Sequence, residues 1–224
     1  MRSVTTRDED VKTEIRRQVE MFHRVTHVNL TSVVGVVSDS PQLILIHCHN
    51  LHNLKLRLQV EALSQTQIRQ CVLQTARGMH ALAEARFVHR DLGARNILIG
   101  FRGDEVALKI TSLGLNKEPF AADYYSHKHQ VIALRWLPHE AVFEDEYSTK
   151  SDVWMFASTV WELSNGGERP FSSQSDEAIL KQLNAKTLQW SVQSDLPWLN
   201  KCWSHDPKLR PSFEYILSSL ESTC

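Results

Sequence analysis

The chain has 224 residues with 42% apolar and 23% charged side chains, ordinary values for a globular protein large enough to bury a sizeable core. A formal net charge of -1 gives no reason to expect a nucleic-acid or acidic-substrate partner. Cys48, Cys71, Cys202 and Cys224 form no C-x-x-C pair, no apolar run approaches a membrane span, and the polar first ten residues argue against a signal peptide, so a reduced, cytosolic domain is expected.

Thr6 through Val25 predicts an amphipathic helix. Val11, Ile15, Val19, Phe22 and Val25 recur at helical spacing, and Thr6 with Glu9 makes a capping box. The apolar runs Leu30–Val37 and Leu43–His47, parted by Ser38-Asp39-Ser40-Pro41, predict a strand–turn–strand pair. Ser64 to Glu84 predicts a long helix capped by Ser64 and Gln67, with Ile68, Val72, Ala76 and Met79 as its buried stripe. Short strands are expected at Phe87–Val88, Ile97–Ile99 and Val106–Ile110. Lys150–Asn165 reads as a buried helix stopped by Gly166-Gly167, and the chain past Asp176 as mostly helical.

Five segments, in order, resemble a tyrosine-kinase domain. His89-Arg90-Asp91-Leu92-Gly93-Ala94-Arg95-Asn96 resembles the catalytic loop, and Ser112-Leu113-Gly114 stands where D-F-G is expected. Leu134-Arg135-Trp136-Leu137-Pro138-His139-Glu140 is similar to the end of a tyrosine-kinase activation segment. Lys150-Ser151-Asp152-Val153-Trp154 with Trp161-Glu162 resembles the helix that follows, and Cys202-Trp203 with Arg210-Pro211-Ser212-Phe213 the closing segment. Arg16-Arg17-Gln18-Val19-Glu20-Met21-Phe22, His27-Val28-Asn29 and the L-G ending of the degenerate D-F-G narrow the resemblance. It is to the group of immunoglobulin-domain receptor pseudokinases that includes inactive tyrosine-protein kinase 7 and Off-track.

The resemblance implies an α+β, two-lobed protein-kinase-like fold, with a truncated N-terminal lobe over residues 1–50 and a mainly helical C-terminal lobe over 51–224. It implies that Asp91 would accept the substrate hydroxyl proton, Arg95 would sit beside the substrate tyrosine and Asn96 would hold a magnesium ion. The rival reading of these three is retention as fold architecture. Ile46 would be the gatekeeper and Cys48 part of the hinge that meets adenine through its backbone. Ser112 replaces the magnesium-holding aspartate with a hydroxyl, a far weaker ligand than a carboxylate. Arg2 falls at the phosphate-pairing lysine, and Gln18 at its partner glutamate, where a neutral amide makes no ion pair. No G-x-G-x-x-G occurs in the chain. One lost donor of this kind removes about 3 kcal/mol of transition-state stabilisation.

The expectation is therefore a catalytically impaired domain with no resident cofactor, magnesium-ATP binding being weak at best. Its partners would be signalling proteins or co-receptors. The resemblance implies the cytoplasmic part of a plasma-membrane receptor in Wnt or planar-polarity signalling, adhesion or axon guidance. The alternative is an active tyrosine kinase whose glycine loop lies upstream. Tyr124-Tyr125 reads either as an activation-loop phosphosite, with Arg90 able to pair with the phosphate, or as an exposed aromatic pair. Glu140 with Arg210 resembles a buried ion pair, and Asp152 an anchor beneath the catalytic loop.

Overall fold

A computed structural model describes residues 9–37, 43–47, 51–111, 118–128, 130–190, 196 and 198–222, with the side chains at 10, 11, 14, 15, 33–37, 43–47 and 118 excepted. The order is α1 (Glu9–Arg24), β1 (Ser32–Val37), β2 (Leu43–His47), β3 (His52–Asn53), α2 (Leu54–Val60), α3 (Gln65–Glu84), β4 (Ile97–Arg102) and β5 (Glu105–Ile110). There follow β6 (Tyr125–His127), β7 (Gln130–Ile132), α4 (His139–Phe143), α5 (Thr149–Ser164), α6 (Asp176–Asn184), α7 (Leu199–Cys202) and α8 (Phe213–Glu221). A helix-plus-strands part thus leads into a mainly helical part, the α+β order expected.

Local chemistry sets the main helices. The Ser64 hydroxyl accepts from Gln67 N, and the Gln67 side chain accepts from Ser64 N, closing the expected box at the start of α3. Ser148 and Ser151 make the same reciprocal pair ahead of α5. Helix α5 is buried on almost every face and ends at Gly166 and Gly167, whose φ of 64° and 82° suit glycine. Of the expected α3 stripe, Val72, Ala76 and Met79 are buried, while Ile68 is only half-buried. On α1, Phe22 and Val25 are buried as expected and Val19 is half-buried; Thr6 lies outside the described residues, as do the Val11 and Ile15 side chains.

The predicted hairpin forms: β1 pairs antiparallel with β2, with Val33 opposite Ile46. Strands β4 and β5 pair antiparallel, and β3 adds to the β4 edge with His52 opposite Ile99. The expected strand at Phe87–Val88 is absent; His52–Asn53 supplies the extra strand, too short to show any alternation in sequence. Asn29 and Thr31 join the first part to β5 through Ile110 N–H donating to Asn29 O (2.7 Å) and Thr31 N–H to Ile110 O (2.9 Å). The core around α5 is aromatic, with Trp154 and Phe156 wholly buried and Trp190 stacked on Trp203 at 4.4 Å. No helix among the described residues is long and apolar enough to cross a membrane.

Helix α3 meets this junction at Gly78. A Cβ there would lie 2.7 Å from Ile110 Cδ1 and 3.1 Å from the Asn29 carbonyl oxygen. Alanine gains roughly 1 kcal/mol of helix propensity, yet overpacking against backbone costs about 1–3 kcal/mol. Gly78→Ala is therefore expected to lower the urea midpoint; a raised midpoint would show that the contact is loose.

Candidate functional site

The candidate site is the loop between α3 and β4. His89 N–H and Arg90 N–H donate to the Asp152 carboxylate at 2.7 and 3.0 Å, so the first turn of α5 carries the loop from below, as expected of Asp152. From above, Arg17 on α1 donates to Val88 O (2.6 Å) and His89 O (3.3 Å). The loop closes in a 3-10 turn, Ala94–Asn96, which leads into β4.

Asp91, Arg95 and Asn96 are brought together, as the motif predicts. Arg95 Nη2 lies 2.5 Å from Asp91 Oδ1, and Asn96 Nδ2 donates to Asp91 Oδ2 (2.9 Å) and to Asp91 O (2.6 Å). The remaining partner of the carboxylate is Tyr124. Its hydroxyl donates to Asp91 Oδ2 at 2.8 Å and accepts from Arg95 Nε at 3.1 Å. The Arg95 guanidinium lies over the Trp136 ring (4.4 Å) and over the Tyr124 ring (5.1 Å). The chain's own Tyr124 therefore occupies the place beside Asp91 and Arg95.

Burial opposes ionisation of Asp91, but the Arg95 guanidinium and the hydrogen bonds from Arg95 and Tyr124 outweigh it and hold the carboxyl below the ordinary aspartate range. Burial, reinforced by the Asp91 carboxylate, raises the Tyr124 hydroxyl, which stays a protonated donor. The segment carrying Tyr124 is pinned one residue earlier. Lys55 on α2, itself buried, sits 2.7 Å from Asp123 Oδ2 and 3.1 Å from Glu162 Oε1. Glu162 Oε2 also accepts from Ala94 N–H (2.9 Å) and Trp136 Nε1 (3.0 Å).

The Tyr124-Tyr125 pair is thus not an exposed aromatic pair: both rings are half-buried, and the Tyr124 hydroxyl is turned into the loop. The Arg90 guanidinium lies over the Tyr147 ring at 5.3 Å. Gln18 is buried on α1, and Ile46 stands on β2 with its side chain undescribed. Arg2, Cys48 and Ser112 lie outside the described residues. The expected Glu140–Arg210 pair is present, with oxygen–nitrogen distances of 2.5 and 3.1 Å. Sequence reasoning missed Lys55, Asp123 and Arg17 as site-building residues; the one available signal was an acid directly before a tyrosine, in Asp123-Tyr124.

His89 has no exposed surface, and its Nδ1 accepts from Asp91 N–H at 3.3 Å. Burial, with Arg17 and Arg95 nearby, pushes its pKa from 6.5 to about 4 despite Asp91. The unfolded chain then binds the extra proton first, so the stabilisation present above pH 6.5 is lost as pH falls towards 4. Asp152, pushed up to about 7 by burial against its two backbone donors, slopes the opposite way, so the comparison must be made against a variant. The stability gap between the native chain and His89→Asn is expected to narrow by about 3 kcal/mol across that window. Urea titrations at several pH values read it, and a gap independent of pH would mean that His89 is not held neutral.

The chain is similar to known proteins over nearly its whole length. A family model described as protein tyrosine and serine/threonine kinase matches residues 2–220. "Inactive tyrosine-protein kinase 7" of Gallus gallus is 34% identical over 236 residues, covering 98% of this chain and 22% of that protein. The Homo sapiens protein of the same name is 33% identical, with 98% and 22% covered. "Tyrosine-protein kinase-like otk" of Drosophila mojavensis is 32% identical over 235 residues, with 96% and 22% covered. The chain therefore spans about a fifth of the length of these relatives.

Proposed function

The chain belongs to the protein tyrosine and serine/threonine kinase family, and on that premise we propose that it is a pseudokinase domain that works as a signalling scaffold. The observation that carries the reading is Tyr124, which fills the Asp91–Arg95 site from within the chain. The donor set adds to it. Magnesium-ATP calls for a carboxylate where this sequence has Ser112, and for an acidic partner where it has the neutral Gln18. The Asp91 carboxylate is already engaged by Arg95, Asn96 and Tyr124. The residues present do not fit the nucleotide and metal, and no transfer step follows from them. Two of the relatives compared carry the word "inactive" in their names, which supports the same reading. The scaffold's partners would be signalling proteins or co-receptors, in a plasma-membrane receptor acting in Wnt or planar-polarity signalling, adhesion or axon guidance.

The second reading, an active tyrosine kinase, has one observation in its favour: Asp91, Arg95 and Asn96 stand together as catalysis needs them. A thermal-shift titration separates the two. No shift is expected at millimolar magnesium-ATP. A rise of several degrees, lost on chelation, would favour the enzyme, as would tyrosine phosphorylation of a peptide that Asp91→Asn abolishes.

A further inference from the structure

The peptide units at Val88 and His89 are gripped from two directions. Asp152, at the start of α5, takes the His89 and Arg90 N–H groups. The Val88 and His89 carbonyls are met by the two terminal nitrogens of Arg17, at 2.6 and 3.3 Å. Part-buried carbonyls need donors, and among the described residues no other group supplies these two. The guanidinium fork is suited to the task, since it reaches two successive oxygens at once, which a single ammonium does not do. Arg17 sits at the middle of α1, next to the buried Gln18 and one turn before the wholly buried Met21.

We propose that Arg17 is a tether between the two parts of the fold, which makes α1 and the catalytic loop a single cooperative unit. In this family the helix at the place of α1 controls activity by its position. Here its middle is bonded to the loop backbone itself, so α1 cannot swing while the loop stays put. A partner that binds either one therefore acts on both, and a ligand reading the loop reads the seating of α1. The tether involves neither nucleotide nor transfer chemistry, so it stands or falls apart from the pseudokinase reading.

Amide hydrogen exchange on the native chain, Arg17→Met and Arg17→Lys tests it, with α8 as the internal reference. Methionine keeps much of the bulk and supplies no donor. Exchange in Arg17→Met is expected to rise roughly tenfold, the loss of about one charge-assisted hydrogen bond, in α1 and in Val88–Asp91 together. Lysine, able to serve one carbonyl, is expected to return both segments to an intermediate rate. Faster exchange in one segment without the other, or no change in either, overturns the proposal. Should Arg17→Met loosen α8 as well, the lysine variant decides: recovery of both segments together supports the tether, and recovery of one alone overturns it.

Discussion

Arg210→Met is expected to remove about 3–5 kcal/mol of stability, the loss typical of a buried ion pair stripped of one partner. Arg210 has almost no exposed surface, meets Glu140 with both terminal nitrogens, donates to Ser204 O (2.8 Å) and Lys150 O (2.9 Å), and lies over the Trp154 ring. Methionine fills the space over the ring but leaves the Glu140 carboxylate buried and alone, together with two backbone oxygens. Against a total stability of about 5–15 kcal/mol, that loss is large. Differential scanning calorimetry should place the midpoint roughly 10 °C lower. A shift of a degree or two would mean that solvent reaches the pair. Arg210→Met with Glu140→Gln should recover part of the loss, because no net charge is then left behind.

Lys55→Met should produce a loss of similar size and a second effect at a distance. Lys55 is the ammonium shared by Asp123 and Glu162, and without it two buried carboxylates face each other. Arg95 Nη1, 4.0 Å from Asp123 Oδ2, is the next nearest cation recorded at that carboxylate. The expected relief is outward movement of Asp123, and Tyr124 follows because it is the next residue. Stability should fall by about 3–5 kcal/mol, and chemical nitration of Tyr124 should speed up beyond that of the half-buried Tyr125. Adding Asp123→Asn and Glu162→Gln to Lys55→Met removes the repulsion, and should return part of the stability and with it part of the protection of Tyr124. If nitration of Tyr124 is unchanged in Lys55→Met, the segment is held by the phenol alone.

The parts legible in the sequence were those governed by short-range rules. The Ser64–Gln67 box, the apolar run of α5 and its glycine stop each follow from a few neighbouring residues, and the structure places them as expected. The catalytic loop was legible as a motif, and the motif brought Asp91, Arg95 and Asn96 together. The parts that were not legible depend on contacts distant in sequence. His52–Asn53 becomes a strand only because β4 offers it an edge, and two residues carry no periodicity. Lys55 carries no local signal of its role, because its partners Asp123 and Glu162 lie 68 and 107 positions away. Tyr124 lies in an irregular stretch, where pattern says nothing about which way a ring turns.

The seating of Tyr124 also has a consequence for competition. The phenol beside Asp91 is a ligand already on the same molecule, so a visiting peptide contends with an occupant whose effective concentration is set by a short tether. For short flexible tethers that concentration is on the order of millimolar. A tyrosyl peptide of equal intrinsic affinity would have to be supplied at about that level to hold the site half the time, and its apparent dissociation constant is the intrinsic one divided by the fraction of molecules whose site is open. Ordinary cellular peptides at micromolar levels would then leave the loop to its own residue. Partners that bind elsewhere on the domain face no such competitor.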